Sequence, residues 1–495
     1  MRQGLKINTL DRRPEIDGLR AIAVLSIVLF HANIIIFGRD WFVGGYIGVD
    51  IFFVISGYLI TRIILQELFD TGSFSFLEFY ERRARRILPM LFTVMLFSFP
   101  FAWKYLLPGN LVEYSQSILS AVFFCSNFFF YFSTTEYGAE SALLKPFLHT
   151  WSLGIEEQFY IVFPILVMLF FKFYRKHLLL LFLVTFVLSL MFSNEMSTQY
   201  VSLNFYLPMS RIWELLIGSL LANWELMYGR GGNRTFENIF PIIGVLLIAC
   251  SIFLFDKKTP HPGLVTLVPV LGSALVIGFS SRKEFVGRLL SSKPLVGIGL
   301  ISYSAYLWHF PIMAFSRLGS PALNNHDKLI WVFLTFGLSV MSYFLIEQPF
   351  RNRKVINLRL ITPSFIFFLV STVSINMFMI KSDGFPTRVA EIFRDIESLH
   401  EAKWGLMQDE KPCFGRQKDF CEYRNNNSWV QLIGDSHLES LNRNLFERLT
   451  EKFSILDITS GGCWPIGLII KTTGNGPLDK SPCREDYQRL RMKRA

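Results

Sequence analysis

The chain has 495 residues, of which 51% are hydrophobic and 16% aromatic, and it contains 51 phenylalanines. Only 18% of the residues are charged, a composition that argues against a soluble domain and is typical of a polytopic helical membrane protein. The net charge of +10 does not indicate nucleic-acid binding. Its basic residues cluster in short loops between apolar stretches, which is the pattern of cytoplasmic membrane loops.

Twelve apolar stretches of spanning length lie between residues 19 and 380. Orientation follows from the basic loops, which are expected in the cytoplasm at residues 82–86, 172–177, 230–234, 282–293 and 351–359. All of them face the cytoplasm only if one stretch between residues 86 and 172 does not cross. The serine-rich segment 115–133 is the weakest candidate. We therefore predict an all-α membrane bundle of about eleven spans with a cytoplasmic N-terminus, and a re-entrant or surface segment at 115–133.

The first apolar stretch, predicted over residues 19–38, carries a polar line along one side. Ten uncharged residues separate Arg20 from His31, so a helix places the two about 16 Å apart on nearly the same face. His31 would then lie about halfway across a core of about 30 Å. An ionisable group at that depth is a functional candidate, and a neutral imidazole can take a proton from a hydroxyl. The alternative is a neutral histidine hydrogen-bonded to a neighbouring helix.

A run of arginines follows in "FYERRARRILP", residues 79–89. Arg83 and Arg86 are three residues apart and share a helix face. Two guanidinium groups placed in this way can bind a phosphate with forked hydrogen bonds, which lysines cannot form. The alternative is an orientation signal that contacts anionic lipid.

Polar residues recur in or beside later apolar stretches, namely His149, Glu156, Glu157, Arg211, Glu214, His309, Glu347 and Arg351. Arg211 and Glu214 share a helix face and can pair. Each group alone is compatible with a structural ion pair or a packed histidine. Several of them in separate helices predict a polar chamber inside the bundle.

Five motifs in order then resemble the acyltransferase type 3 family over roughly residues 13–355. They are the arginine and histidine separated by ten residues, "RRARRILP", "WSLGIEEQFY", "SYSAYLWHFPI" and "EQPFR". The resemblance implies a membrane O-acetyltransferase that acts on surface polysaccharide. It further implies that His31 is catalytic, that Arg20 is essential, and that Arg83 and Arg86 contact the acyl-CoA donor.

The expected reaction transfers an acyl group, acetyl above all, from acetyl-CoA to a hydroxyl of an extracytoplasmic polysaccharide such as lipopolysaccharide O-antigen. The expected substrate contacts are Arg20, Arg83, Arg86, Glu156, Arg211, Glu214 and His309. No permanently bound cofactor, metal ion or nucleic acid is expected; the partners are acyl-CoA, the polysaccharide or a lipid-linked glycan, and membrane lipids. Two other functions stay open, a transporter or flippase of a lipid-linked glycan and a membrane-anchored periplasmic esterase.

The last third of the chain has a different composition. A linking transmembrane helix is expected at 356–384, and the polar region 385–495 then lies in the periplasm of a cell with its bundle in the inner membrane. Four cysteines fall in this region, namely Cys413, Cys421, Cys463 and Cys483. In an oxidising compartment they fit two disulfides, with the pairing open.

The segment "WVQLIGDSHLESLNRNL", residues 429–445, predicts a strand, a sharp turn and a helix. Ser436 falls at the turn, where a nucleophile can be activated. Gly434-Asp435-Ser436 resembles the first block of SGNH hydrolases, and Gly462 is a candidate oxyanion donor. The block that carries the catalytic histidine does not follow. We therefore expect a partial α/β SGNH-like domain, either truncated or inactive, with Ser436 as a candidate nucleophile that has no visible base.

Overall fold

The structure, a computed structural model, describes residues 12–135, 141–230, 234–256, 258–319 and 324–389. Beyond residue 400 it describes only the backbone of six short strands. The chain divides into two compact units, Met1–Phe385 and Pro386–Ala495.

The regular secondary structure of the first unit is helical in its described residues, apart from one small hairpin. The helices are α1 (Pro14–Ala32), α2 (Gly48–Thr71), α3 (Phe76–Tyr105), α4 (Pro108–Val122), α5 (Ser126–Thr135), α6 (Thr150–Tyr174), α7 (Leu178–Gln199), α8 (Val201–Tyr206), α9 (Ile212–Tyr228), α10 (Arg234–Leu254), α11 (Leu267–Phe279), α12 (Phe285–Leu290), α13 (Lys293–Leu300), α14 (Ser302–Gly319), α15 (Asn325–Ser342), α16 (Gln348–Arg351) and α17 (Leu358–Lys381). A π-helical turn, Tyr343–Glu347, joins α15 to α16. The hairpin pairs β1 (Ile35–Ile36) with β2 (Arg39–Asp40).

Helix α1 begins and ends earlier than the stretch 19–38 that the sequence predicted. Pro14 occupies the first helical turn, where its missing N–H costs nothing. Asn33 ends the helix in the left-handed conformation, with φ of 49°. His31 therefore lies in the last turn of α1, and its depth halfway across the membrane core stays a prediction.

Six helical segments of the described chain are long and apolar enough to cross a membrane, and the bent pair α13–α14 would make a seventh. The six are Gly45–Thr71, Phe76–Tyr105, Thr150–Gln199, Thr235–Leu254, Asn325–Arg351 and Leu358–Lys381. The predicted count of eleven is therefore not confirmed, although a multi-pass membrane protein is. Helix α1 carries three charged residues within its length, and α9 has only 17 residues.

The longest of these segments is a hairpin of two helices. The chain turns at Arg175–His177 between α6 and α7. The rings of Phe163 on α6 and Phe182 on α7 stack with their centroids 5.4 Å apart, whereas a continuous helix would separate them by about 28 Å. Each helix is long enough to cross on its own, as the sequence predicted for this region.

The segment 115–133 is not one continuous helix. It is divided between α4 and α5, and Phe124 between them has a positive φ of 55°. Asn127 on α5 is fully buried, and its side-chain amide donates to the backbone carbonyl of Tyr206. The side-chain oxygen of Asn127 accepts a hydrogen bond from Gln158. Protein partners thus satisfy the amide that made this segment a weak span.

Close contacts between helices position the polar residues of the bundle. A Cβ atom on Gly57 of α2 would lie 1.8 Å from the carbonyl oxygen of Leu215 on α9. A Cβ atom on Gly299 of α13 would lie equally close to the carbonyl of Asp17 on α1. Small residues allow this approach, which is how membrane helices pack without a hydrophobic driving force. The largest apolar core lies around α2, α3, α4 and α6.

The second unit contains a small hairpin, β3 (Met407–Gln408) with β4 (Lys411–Pro412), and a four-stranded sheet. The sheet consists of β5 (Cys421–Tyr423), β6 (Trp429–Gly434), β7 (Ser454–Thr459) and β8 (Ile469–Lys471), in the order β5-β7-β6-β8. Strands β6 and β7 are parallel, and the other pairs are antiparallel. Strand β6 confirms the strand predicted from residue 429. Ser436, Gly462, the predicted helix and the cysteine side chains of this unit lie outside the described residues.

Candidate active site

A cavity of about 300 Å³, here called the donor cavity, lies between α1, α2, α3, α6 and α14. Five residues that the sequence singled out line it together: Arg20, Arg83, Arg86, Glu156 and Glu157. Ser152 and Tyr306 also line it. Of the residues from which the sequence predicted a polar chamber, Glu156 and Glu157 line this cavity.

Helix α3 presents its arginines in two pairs with different surroundings. The helix begins after Ser75, whose hydroxyl accepts the N–H of Glu78 and caps the first turn. Two arginines form ion pairs within the protein: Arg82 with Glu78 at 3.2 Å and Arg85 with Glu81 at 2.7 Å. Arg83 and Arg86 have no carboxylate within 4.0 Å among the described residues, and both face the donor cavity. These two cations are thus available to an anionic ligand.

A second cavity of about 290 Å³ adjoins the first and shares Arg20, Arg86, Ser302 and Tyr303 with it. We call it the cationic cavity, because the charged residues of its wall are Arg12, Arg13, Arg20, Arg62, Arg86, Arg351, Asp17 and Glu347. Glu15 and Glu225, which are not part of the wall, pair with Arg13 and Arg62, so six arginines against four carboxylates leave a net positive charge. Asp17 is bound by Arg12 at 3.0 Å and by Arg20 at 3.5 Å, and Glu347 by Arg351 at 3.2 Å.

Two neighbouring carboxyl groups of α6 face the donor cavity. Glu156 accepts hydrogen bonds from the hydroxyls of Ser56 at 3.1 Å and Tyr160 at 3.2 Å. The guanidinium of Arg83 stacks over the Tyr160 ring at 4.6 Å, which joins α3 to α6. Glu157 is buried, and one of its oxygens has no hydrogen-bond partner within the described chain. Only Glu156 was predicted as a substrate contact, although the adjacent acidic pair in the sequence marked both.

Three histidines from distant parts of the chain lie together, and we call them the histidine cluster. The ring of His309 on α14 lies 5.3 Å from that of His31 and 5.4 Å from that of His149, between centroids. His149 and His309 are buried, whereas His31 is partly exposed. Nitrogen atoms on all three rings have no hydrogen-bond partner among the residues that the structure describes. The sequence marked each histidine separately but gave no sign that they meet.

Tyr306 separates the donor cavity from the histidine cluster. Its hydroxyl donates to the carbonyl of His149 at 2.7 Å and shares a hydrogen bond of 2.6 Å with Ser152. Its ring lies 5.4 Å from those of His149 and His309. His31 lies beyond this layer and is not part of the cavity wall. Sequence reasoning missed Tyr306, which occurs three residues before His309 on the same helix face.

Arg211 and Glu214 pair as predicted but lie in a different place. Both are fully buried, and the Arg211 guanidinium is 2.8 Å from Glu214 and 2.8 Å from Asp50. His261 adds a contact of 3.0 Å to Asp50. Burial, followed by the charge of Arg211, lowers the pKa of His261 well below its usual value, so the neutral ring donates to the carboxylate. None of the four lines the donor or the cationic cavity, which favours a structural role over substrate contact.

Comparison with known proteins gives a match to the family described as "Acyltransferase domain" over residues 13–347. That range is more than half of the chain. The chain belongs to this acyltransferase family. The peptidoglycan O-acetyltransferase OatA of Listeria monocytogenes is 33% identical over 366 residues, which cover 70% of this chain and 56% of that protein. The O-acetyltransferase OatA of Staphylococcus aureus is 32% identical over 357 residues, which cover 69% and 57%.

The chain thus spans less than two thirds of the length of these relatives. No solved structure gives a significant match. The matched range contains the donor cavity, the histidine cluster and the cationic cavity except Arg12 and Arg351, whereas Ser436 lies beyond it. Within the described residues, no group of three or more histidine, cysteine, aspartate or glutamate side chains is arranged to hold a metal ion.

Proposed function

We propose that this acyltransferase moves an acyl group, acetyl above all, from acyl-CoA to a hydroxyl of an extracytoplasmic glycan. The observation that carries this proposal is the pair of unpaired arginines, Arg83 and Arg86, in a cavity that Tyr306 also lines, with the histidine cluster packed against Tyr306. Cations in the cavity wall and imidazoles behind Tyr306 fit an anionic donor that delivers its thioester to a base.

The charge of the two cavities suits the CoA moiety of the donor. Coenzyme A carries a diphosphate and a further phosphate at one end and its thioester at the other. Six arginines line the cationic cavity, and arginine binds phosphate through forked hydrogen bonds. Five of them also pair with carboxylates, whereas Arg86 does not among the described residues. Arg20 and Arg86 line both cavities. They would therefore lie beside the junction between the phosphates of the coenzyme and its uncharged pantetheine arm.

The reaction then takes place near Tyr306. The hydroxyl oxygen of the glycan bonds to the acyl carbon, the carbon–sulfur bond breaks, and the hydroxyl proton goes to His31. His31 suits an acceptor that arrives from outside, because it lies in the last turn of α1 and is partly exposed. The coenzyme leaves as a thiol once its thiolate has gained a proton.

The acceptor class follows from the relatives rather than from the cavity. The relative from Listeria monocytogenes is named for peptidoglycan, so we propose a cell-wall glycan as the acceptor in place of the lipopolysaccharide O-antigen expected from the sequence. A flippase would need neither a thioester donor nor a general base, and a periplasmic esterase would not need the thioester donor.

We further propose that the N-terminus and the arginine cavities face the cytoplasm, where acyl-CoA is made. The basic loops expected on that side include the exposed turn Arg175–His177. The region after residue 385 then lies outside the cell membrane. This orientation lets the donor enter from one side and the glycan from the other.

Replacing Arg83 and Arg86 together with alanine is expected to raise the KM for acyl-CoA. Hydrogen bonds to charged groups contribute about 1.5–3 kcal/mol each, so each arginine is worth about tenfold to a hundredfold in affinity. The double lysine variant keeps the charge and loses the forked geometry, so we expect it to recover only part of the affinity. The measurement is the rate of labelled acetyl transfer in membranes as a function of acetyl-CoA concentration.

Arg82 provides the matched control. It lies next to Arg83 but is exposed and paired with Glu78, so Arg82→Ala should leave the KM for acyl-CoA unchanged. A double alanine variant with the KM of the wild type would show that these arginines only orient the helix in the membrane.

A further inference from the structure

We propose that His309 is a second proton-carrying catalytic group, which receives the acceptor's proton from His31 and passes it to the departing thiolate. This inference rests on the proposed function, because it concerns the same transfer. It assigns a role to the central member of the histidine cluster that neither the family match nor the relatives' names give.

The hydrogen bonding of His309 fixes which of its nitrogens can act. Its Nδ1 atom lies 2.6 Å from the carbonyl oxygen of Tyr306, one turn earlier in α14. A carbonyl oxygen only accepts hydrogen bonds, so Nδ1 bears the hydrogen and Nε2 has a free lone pair. That Nε2 atom is buried and has no partner among the described residues. A buried acceptor without a donor is costly in a packed core, so it points to a proton or a hydroxyl that arrives during the reaction.

The position of His309 suits a relay. Its ring lies between His31, which is partly exposed, and Tyr306, which lines the donor cavity; the centroid distances are 5.3 Å and 5.4 Å. The Nδ1 atom of His31 is also without a partner in the described part of the chain. At these separations a ring rotation or one bridging oxygen brings the nitrogens into hydrogen-bond range. His309 is therefore closer than His31 to the place where the thiolate forms.

The relay satisfies the proton balance of the reaction. In the proposed arrangement His31 takes the hydroxyl proton, whereas His309 lies nearer the donor cavity, whose wall includes Tyr306. His31 takes the proton, His309 receives it on Nε2, and the thiolate then removes it to give the coenzyme thiol. Both imidazoles end neutral, so the cycle consumes no further acid or base. The Tyr306 carbonyl stabilises the imidazolium through its bond to Nδ1, since hydrogen bonds to charged groups are the stronger ones.

The other charged and titratable groups around His309 are few. His149 packs against it from the start of α6, and Tyr306 lies on its own helix. Arg317, two turns later on α14, donates to the backbone carbonyl of His31 and stacks over Trp331. No carboxylate is paired with His309 among the described residues, so it has no permanent counter-ion that would hold it protonated.

The sharpest variant is His309→Asn. The asparagine amide nitrogen reproduces Nδ1 and can keep the hydrogen bond to the Tyr306 carbonyl, but it offers no lone pair at the position of Nε2. We expect the turnover number for acetyl transfer to fall at least about a hundredfold, with the KM for acetyl-CoA unchanged. A variant within threefold of the wild type would overturn the relay.

Chemical rescue separates proton transfer from packing. In His309→Ala, added imidazole can enter the space that the side chain leaves, and we expect it to restore activity at least tenfold. The control is His326→Ala, which removes an exposed histidine at the start of α15 and should respond to imidazole no more than the wild type. An alanine variant that is inserted and folded but not rescued would assign His309 a packing role only.

Failure of this inference differs from failure of the proposed function. Wild-type membranes that transfer no label from acetyl-CoA contradict the proposed donor. Wild-type membranes that transfer label together with a fully active His309→Asn contradict the relay alone.

Discussion

Replacing His31 with glutamine is expected to lower acyl transfer at least about a hundredfold while the protein stays folded in the membrane. Glutamine keeps the size and hydrogen bonding of the side chain but cannot accept a proton near neutral pH. A positioned general base contributes about 10²- to 10⁴-fold, or about 3–5 kcal/mol of the barrier. The measurement is the turnover number with labelled acetyl-CoA, normalised to the amount of inserted protein.

The structure explains why this substitution should spare the fold. The Nδ1 atom of His31 has no hydrogen-bond partner within the described residues, and Arg317 contacts the backbone carbonyl, which every variant keeps. His326→Gln is the matched control on an exposed surface and should keep normal activity. If His31→Gln transfers acetyl groups at nearly the wild-type rate, His31 is a packing residue and the base must be sought elsewhere.

The second large effect is expected from Arg211→Met, on stability rather than on chemistry. Arg211 is the only cation in contact with the buried carboxylates of Asp50 and Glu214 among the described residues. Its removal leaves both carboxylates buried without a charge partner, which typically costs about 3–5 kcal/mol. We expect a large loss of thermal stability in detergent, with little folded protein recovered.

Arg359→Met is the control for this experiment, because Arg359 is exposed near the start of α17. Its stability should stay within about 0.5 kcal/mol of the wild type, as is usual for surface substitutions. An Arg211→Met protein as stable as this control, but with a raised KM for the glycan, would restore Arg211 to the substrate contacts that the sequence suggested.

Helical periodicity alone predicted those parts of the site whose residues lie on a single helix. The spacing of Arg83 and Arg86 places them on one face of α3, and both line the donor cavity. The spacing of Arg211 and Glu214 likewise predicted their ion pair. In each case a periodicity of 3.6 residues decides the geometry, and no distant contact is needed.

Contacts between distant residues could not be predicted in the same way. The meeting of His31 with His309, or of Arg211 with Asp50, depends on which helices pack together, and one sequence does not record that. The end of the helix that carries His31 was predicted too late, because an apolar run continues past Asn33, where α1 ends. The span count also stays unconfirmed. Helix α1 contains charged residues and α9 is short, so hydropathy and length do not decide whether these helices cross the membrane.

The most direct test of the central claim is transfer across the membrane in sealed vesicles of known orientation. Acetyl-CoA labelled in the acetyl group is supplied only to the cytoplasmic face, with cell-wall glycan or lipopolysaccharide on the opposite face, and base-labile label on the glycan is counted. The account predicts label on the cell-wall glycan for the wild type, and at least about a hundredfold less for His31→Gln. Label confined to lipopolysaccharide would change the acceptor. No label on any glycan, or equal label with His31→Gln, would contradict the account.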